Sequence, residues 1–430
     1  MTSPDPLASN SRAGATRPRA FYGWYLLAAS VVAMAFGSGV SFWSFGLYVG
    51  PLEDEFGWSR AQVSLGFSAA LLISGLAGPL VGWWVDARGP RSAILVGAVF
   101  TALSSLLLAT TSTLWQWYVY QSINAVFRQM MFFIPFQALV SRWFDRKRGI
   151  ALSILATGFS LGGFVVVPIM SLVIDRWDWD GSFVFAAIAT TVIFLPIGLL
   201  IVKNSPADAG TWVDGIPAER DAAGNELLRP IVGVPASVAL RTPVFWVMAT
   251  GLMLFFYGLF GWLVHQVPFY ESEGISRANA ALIVSGAAGA GIISRLAFGV
   301  FADRVQRFEY VAMGLAGVLA AAMAILLVNS SAVGIAVFLI FWLVGTGGGP
   351  MLEAMLLTRA FGVAYFATIL GAVVVVETVG QILSPTIAGW IFDTTGSYDW
   401  ALAMYIATFI ASTALFALAS RLARPVDSLR

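Results

Sequence analysis

The sequence predicts an all-α membrane protein, with twelve transmembrane helices arranged as two parallel six-helix repeats. Three features point there: a composition suited to lipid, a one-sided distribution of positive charge, and an internal repeat at a spacing of 217 residues.

Of 430 residues, 59% are hydrophobic and 11% charged. A soluble domain carries about 25% charged residues, so most of this chain's surface must face lipid. Cysteine is absent, which excludes disulfides, thiolate metal sites and cysteine nucleophiles. One histidine argues against a His-rich metal cluster or a Ser-His-Asp triad. Metal-ligand spacing, a nucleophile motif and a nucleotide loop are also missing, so no enzyme activity and no cofactor are expected.

A spanning helix needs about 20 mostly apolar residues. Such runs occupy 22–50, 61–86, 92–112, 114–140, 149–175, 182–202, 243–270, 278–303, 309–329, 332–358, 363–392 and 398–421. They are too long and too continuously apolar for barrel strands, so the backbone must be satisfied within helices. The first run is too long for a signal peptide and lacks a cleavage site, so it is read as an uncleaved helix. Residues 1–18 are expected to be disordered.

With the N-terminus in the cytoplasm, nineteen of the 24 Lys and Arg residues fall on the cytoplasmic side. Three fall outside (Arg60, Arg176, Arg277), and Arg128 and Arg295 lie within spans. This is the positive-inside pattern, and an odd helix count would scramble it. The expected organisation is a cytoplasmic tail (1–20), a six-helix bundle (21–202), a cytoplasmic linker (203–241), a second bundle (242–421) and a tail (422–430). Both termini are cytoplasmic and the membrane is a cell inner membrane.

The repeat supports the division. Gly57-Trp58-Ser59-Arg60-Ala61 precedes helix 2, and Gly274-Ile275-Ser276-Arg277-Ala278 precedes helix 8. Gly82 and Asp86 recur as Gly299 and Asp303, and Gly163 and Pro168 as Gly380 and Pro385, all at 217. Six helices per unit return the chain to one side, so the repeats are parallel.

These residues also carry a resemblance. Gly82-x-x-x-Asp86-x-Arg88-Gly89-x-Arg91 and Gly299-x-x-x-Asp303-Arg304 resemble the loop motif of the major facilitator superfamily and its second-half echo. Pro51 to Arg60, Trp143-Phe144-x-x-Lys147-Arg148-Gly149 and Ser294-Arg295-x-x-Phe298-Gly299 resemble the monocarboxylate porter and oxalate/formate antiporter branch. The resemblance implies a central cavity lined by helices 1, 2, 4, 5, 7, 8, 10 and 11. It also implies a substrate carboxylate held by Arg295, and a gating latch of Gly82, Asp86, Arg88, Gly299, Asp303 and Arg304 at the cytoplasmic rim. The sequence departs from the branch in three places. Gly291 stands where an acidic residue precedes the helix 8 arginine, helix 1 has no cavity lysine, and helix 11 carries Glu377 rather than a basic residue.

A charge inside a span costs about 2.5 kcal/mol or more, so each one needs a reason. Arg295 reads as a carboxylate holder, since its planar fork meets a carboxylate with two hydrogen bonds; the alternative is a structural ion pair. Arg128 is expected to flank the same cavity, or else to meet a protein carboxylate. Glu377 would leave the site with one net positive charge, suiting a monoanion. Burial favours its neutral acid and a nearby arginine its anion, so it is either a proton carrier or a fixed counter-ion. Glu353, after Gly347-Gly348-Gly349-Pro350, is a second coupling candidate. Tyr257 is a candidate hydrogen-bond donor to substrate; Trp43, Phe45, Tyr48 and Phe260 are candidate apolar walls.

The expected function is therefore secondary transport of a small organic anion, a monocarboxylate, by proton symport or anion exchange. Its partners would be that anion, protons and the bilayer, with no nucleic acid, and the chain would act as a monomer. The alternatives are efflux of a hydrophobic or cationic compound, read by Glu377 and Glu353, and a transporter-like receptor without flux.

Overall fold

A computed structural model of the protein describes residues 21–217, 232–305 and 307–422. The expected N-terminal tail, the centre of the linker and all but the first residue of the C-terminal tail lie outside these residues.

Twelve long apolar helices account for most of the described chain. The first four are α1 (Tyr22–Trp43), α2 (Arg60–Arg88), α3 (Pro90–Ala109) and α4 (Leu114–Trp143). A continuous run, Arg148–Ile201, breaks at Trp177 (φ −133°) and Asp178 (φ 60°, ψ −179°). It is therefore two crossings, α5 (148–176) and α6 (179–201). The remainder are α7 (Pro243–Ser272), α8 (Arg277–Ala302), α9 (Phe308–Val328), α10 (Ala332–Phe361), α11 (Phe366–Thr395) and α12 (Asp399–Leu422). Among the described residues the only bridge of strand type is an isolated one, Gly233 to Gly362.

The repeat motif has a local physical basis. Gly57 (φ 67°) and Gly274 (φ 82°) take left-handed conformations that a side chain would strain. Two residues on, the Ser59 hydroxyl accepts from Gln62 N and the Ser276 hydroxyl from Asn279 N, capping α2 and α8. At α2 the Gln62 side chain returns a bond from Ser59 N at 2.9 Å, completing a capping box.

Packing repeats as the sequence does. In the first half α1 lies on α5, α2 on α4 and α3 on α6; in the second, α7 lies on α11, α8 on α10 and α9 on α12. The halves meet through α2 against α11 and, symmetrically, α8 against α5. An even number of crossings puts both described chain ends on one face, here termed the terminal face; the other is the distal face.

The linker segments on either side of 218–231 follow the terminal face. Asp214 accepts backbone N–H bonds from Asp145 (3.2 Å) and Arg146 (2.7 Å), just before α5. The Val232 carbonyl accepts from Val363 N (2.9 Å), just before α11. These loops are copies of one another at the repeat spacing, so the described linker ends grip equivalent places in the two halves.

Candidate functional site between the halves

Arg295 is set by its neighbour. Ser294 Oγ donates to the Leu343 carbonyl of α10 at 2.6 Å. That approach needs glycine: a Cβ on Gly347 would lie 2.4 Å from Ser294 Oγ, and one on Gly348 2.7 Å from the Phe298 ring. With α8 seated against the interruption of α10 at Gly348, Arg295 turns towards α5, where its Nη1 donates to Ser160 Oγ. Its Nε is buried with no hydrogen-bond partner, and no acidic side chain among the described residues pairs with it. The guanidinium thus lies at the α5–α8 contact between the halves, donors to spare and no counter-ion. Beside Ser160, Phe159 belongs to an aromatic cluster. The Phe42 ring is 5.6 Å from Phe159, 6.0 Å from Phe67 and 6.2 Å, edge on, from Phe260 of the other half. Trp43 joins by donating its indole N–H to the Phe159 carbonyl at 2.9 Å.

Glu353 and Glu377 lie deep in the second half, 4% and 2% exposed. Each has one buried carboxyl oxygen without a partner, Oε2 of Glu353 and Oε1 of Glu377. The charged group that Glu377 senses is Glu353; no charge interaction links either to Arg295. Among the described residues neither carboxyl forms a salt bridge with an arginine.

Two expected site residues turn elsewhere. Arg128 does not join Arg295. It lines a small cavity enclosed by α1, α3, α4 and α6 of the first half, facing Tyr48, Gln121 and Asn124. Tyr257 of α7 directs its hydroxyl to Met404 Sδ of α12 at 3.2 Å, inside the second half. Successive residues on a helix are about 100° apart, so a residue on a cavity-lining helix still faces inward or away according to packing that the sequence does not display. Phe45 and Tyr48 line the Arg128 cavity as well.

The latch residues form two crossed clamps at the terminal face. Asp86 of α2 accepts from Thr368 N (2.7 Å), Thr368 Oγ1 (2.7 Å) and Ala367 N (3.3 Å), at the first turn of α11 in the opposite half. Asp303, following α8, accepts from Gly149 N and from Ile150 N (3.1 Å), at the first turn of α5. Each carboxylate satisfies the orphan N–H groups and positive dipole end of a helix across the interface. Burial is the larger influence on the Asp303 carboxyl and raises its pKa, while its two N–H donors act against it. Glycine permits the approach. A Cβ on Gly82 would lie 2.1 Å from the Ala367 carbonyl, and one on Gly299 2.5 Å from Ser153 Oγ.

The arginines of this rim take separate roles. Asp86 pairs with Arg142 of α4 at 3.1 Å, within its own half. Arg88 instead stacks over Trp84, 4.1 Å from the ring centre. Arg304 lies in the turn that ends α8. Arg142, Thr368 and the α5 and α11 N-termini were missed from sequence; the offset of 217 between Asp86 and Asp303, carried across the halves, was the signal for the helix ends.

Fold and site together define the class: a multi-pass membrane transporter whose two halves meet around a half-buried arginine and are clamped on one face. Residues 31–385 match the family described as Major Facilitator Superfamily, and the chain belongs to it. It is similar to an oxalate:formate antiporter of Oxalobacter formigenes, 24% identical over 416 residues and covering 94% of each chain. It is also similar to monocarboxylate transporter 13 of Bos taurus, 24% identical, covering 89% of this chain and 85% of that one. Among solved structures, the E. coli fucose:proton symporter aligns with a TM-score of 0.69 at 14% identity, over 93% of this chain and 99% of that one, a likeness of fold.

Proposed function

We propose that the protein is a secondary active transporter of a small organic anion, a monocarboxylate, working by alternating access as a monomer in a cell inner membrane with both termini in the cytoplasm. The observation that carries this reading is Arg295, a guanidinium between the halves with no acidic partner. An intramembrane charge of this kind marks a substrate path by default. Its fork suits a carboxylate, and one unpaired positive charge suits a monoanion. The adjoining Phe42, Phe159 and Phe260 rings give an apolar part of the substrate a surface to meet. The names of the relatives, an oxalate:formate antiporter and monocarboxylate transporters, support the same class.

Glu353 and Glu377 extend the reading to proton symport. Their buried, unpartnered oxygens provide a place for a proton inside the half that also carries Arg295. A proton there and an anion at Arg295 would cross together, with no net charge moved. The Asp86 and Asp303 clamps describe the state closed to the cytoplasm; their release lets the halves rock about the site. The same glutamates carry a second reading, efflux of a hydrophobic or cationic compound.

The test is uptake into proteoliposomes of labelled formate, acetate, lactate and oxalate, with and without an inward proton gradient. The expected result is saturable uptake of a monocarboxylate, accelerated by external acid. Flux of a lipophilic cation with none of the four carboxylates would favour efflux; binding with no flux of any compound would favour a receptor.

A further inference from the structure

We propose that the first half holds a second anion site, at Arg128, occupied by a single inorganic anion of halide size and separate from the Arg295 site. The cavity between α1, α3, α4 and α6 has a volume of about 20 Å³, room for a small occupant such as a water or a halide. No Asp or Glu lines it. Arg128 reaches it without a salt bridge or hydrogen bond to any described residue. Tyr48 is the only group whose charge bears on it, and Tyr48 is no counter-ion. Ser182 spends its proton on the Trp179 carbonyl at 2.5 Å, so its oxygen receives the Tyr48 proton at 3.1 Å.

The remaining polar groups favour an anion over a neutral water. The Thr101 carbonyl is already occupied by Ser105 Oγ (2.8 Å) and Asn124 Nδ2 (3.2 Å). The Thr101 hydroxyl is buried with no partner. The Thr101 carbonyl is therefore spent, while the Arg128 N–H groups and the Thr101 O–H are not. A water could accept from both donors but would leave the guanidinium charge uncompensated, whereas an anion answers both.

The repeat supplies an independent comparison. At the 217 spacing the polar wall residues Ser41, Thr101, Ser105, Gln121, Asn124, Arg128 and Thr190 become Gly258, Val318, Ala322, Phe338, Phe341, Gly345 and Ala407, while Tyr48 becomes His265. Apart from His265 the corresponding positions of the other half carry no polar side chain, so the polar wall is not a requirement of the scaffold. Immediately after Arg128, α4 loosens into a π turn, Gln129–Phe133, a local irregularity frequent at functional sites.

The test is thermal unfolding of the purified full chain in sodium chloride, sodium bromide and sodium isethionate, a sulfonate salt, at equal ionic strength and with no carboxylate present. The expected result is a saturable rise in the unfolding midpoint with chloride or bromide and not with isethionate, since a ligand of the folded state stabilises it. The rise should persist in Arg295→Gln and vanish in Arg128→Gln. Thr101→Val, which keeps the charge, should weaken halide affinity and so tests the site if Arg128→Gln does not fold. Equal midpoints in halide and isethionate, or a halide effect lost in Arg295→Gln but kept in Thr101→Val, would overturn the proposal. Because the assay contains no transport step, its failure leaves the monocarboxylate reading standing, and failure of that reading leaves this one standing.

Discussion

At the scale of single residues, Arg295 and Glu377 were legible as charges that a membrane span does not carry without cause, and their chemistry followed from residue type. Their partners were not legible. That Ser160 faces Arg295, and that Glu353 rather than an arginine neighbours Glu377, depends on how α5, α10 and α11 rotate against α8. Arg128 and Tyr257 show the same gap, since both lie on helices assigned to the cavity yet face into their own bundles. Two substitutions test the residue-level account. Arg295→Lys keeps the charge and loses the fork; a lost charge-assisted hydrogen bond is worth about 1.5–3 kcal/mol, so the apparent substrate affinity should fall at least about tenfold in a concentration series of initial rates. Glu377→Gln should abolish acceleration by a proton gradient while retaining anion exchange. Gradient-driven uptake at the wild-type rate would remove Glu377 from coupling.

At the scale of elements, the clamps turn a sequence motif into geometry. The acidic residues were readable from their repetition, but their ligands are backbone N–H groups, which no residue type announces. Charge makes Arg88 and Arg304 the visible members of the latch; in the structure Arg88 stacks on Trp84, and Arg142, outside the expected latch, pairs with Asp86. Breaking a buried pair by removing one partner costs about 3–5 kcal/mol. Asp86→Asn should therefore shift the molecule away from the closed terminal face and slow transport with unchanged preference among carboxylates, measured as relative rates across the substrate panel. A changed preference would count against a clamp. Gly82→Ala puts a methyl group 2.1 Å from the Ala367 carbonyl, and should lower both transport and thermal stability by separating α2 from α11.

At the scale of the whole molecule, most of the architecture was legible. Lipid as solvent forces helices, positive charge fixes an even count, and the 217 spacing pairs the halves; the observed packing follows that pairing element by element. The linker attachments at Asp214 and Val232 were not legible, because they join short loops through backbone groups. Alternating access makes a prediction at this scale. Ser153 of α5 touches Met351 of α10 at 3.5 Å across the interface, and the chain has no cysteine of its own. The double variant Ser153→Cys, Met351→Cys, bridged by a short thiol-reactive linker, should lose transport and regain it on reduction. Undiminished flux in the bridged protein would mean that this contact does not open during the cycle.

The most direct measurement of the central claim is counterflow of a labelled monocarboxylate in proteoliposomes containing wild type, Arg295→Gln or Arg128→Gln. The account predicts that Arg295→Gln falls to the level of empty liposomes, while Arg128→Gln, assayed where it is folded, retains saturable counterflow. Saturable counterflow in Arg295→Gln, with its loss in folded Arg128→Gln, would contradict it.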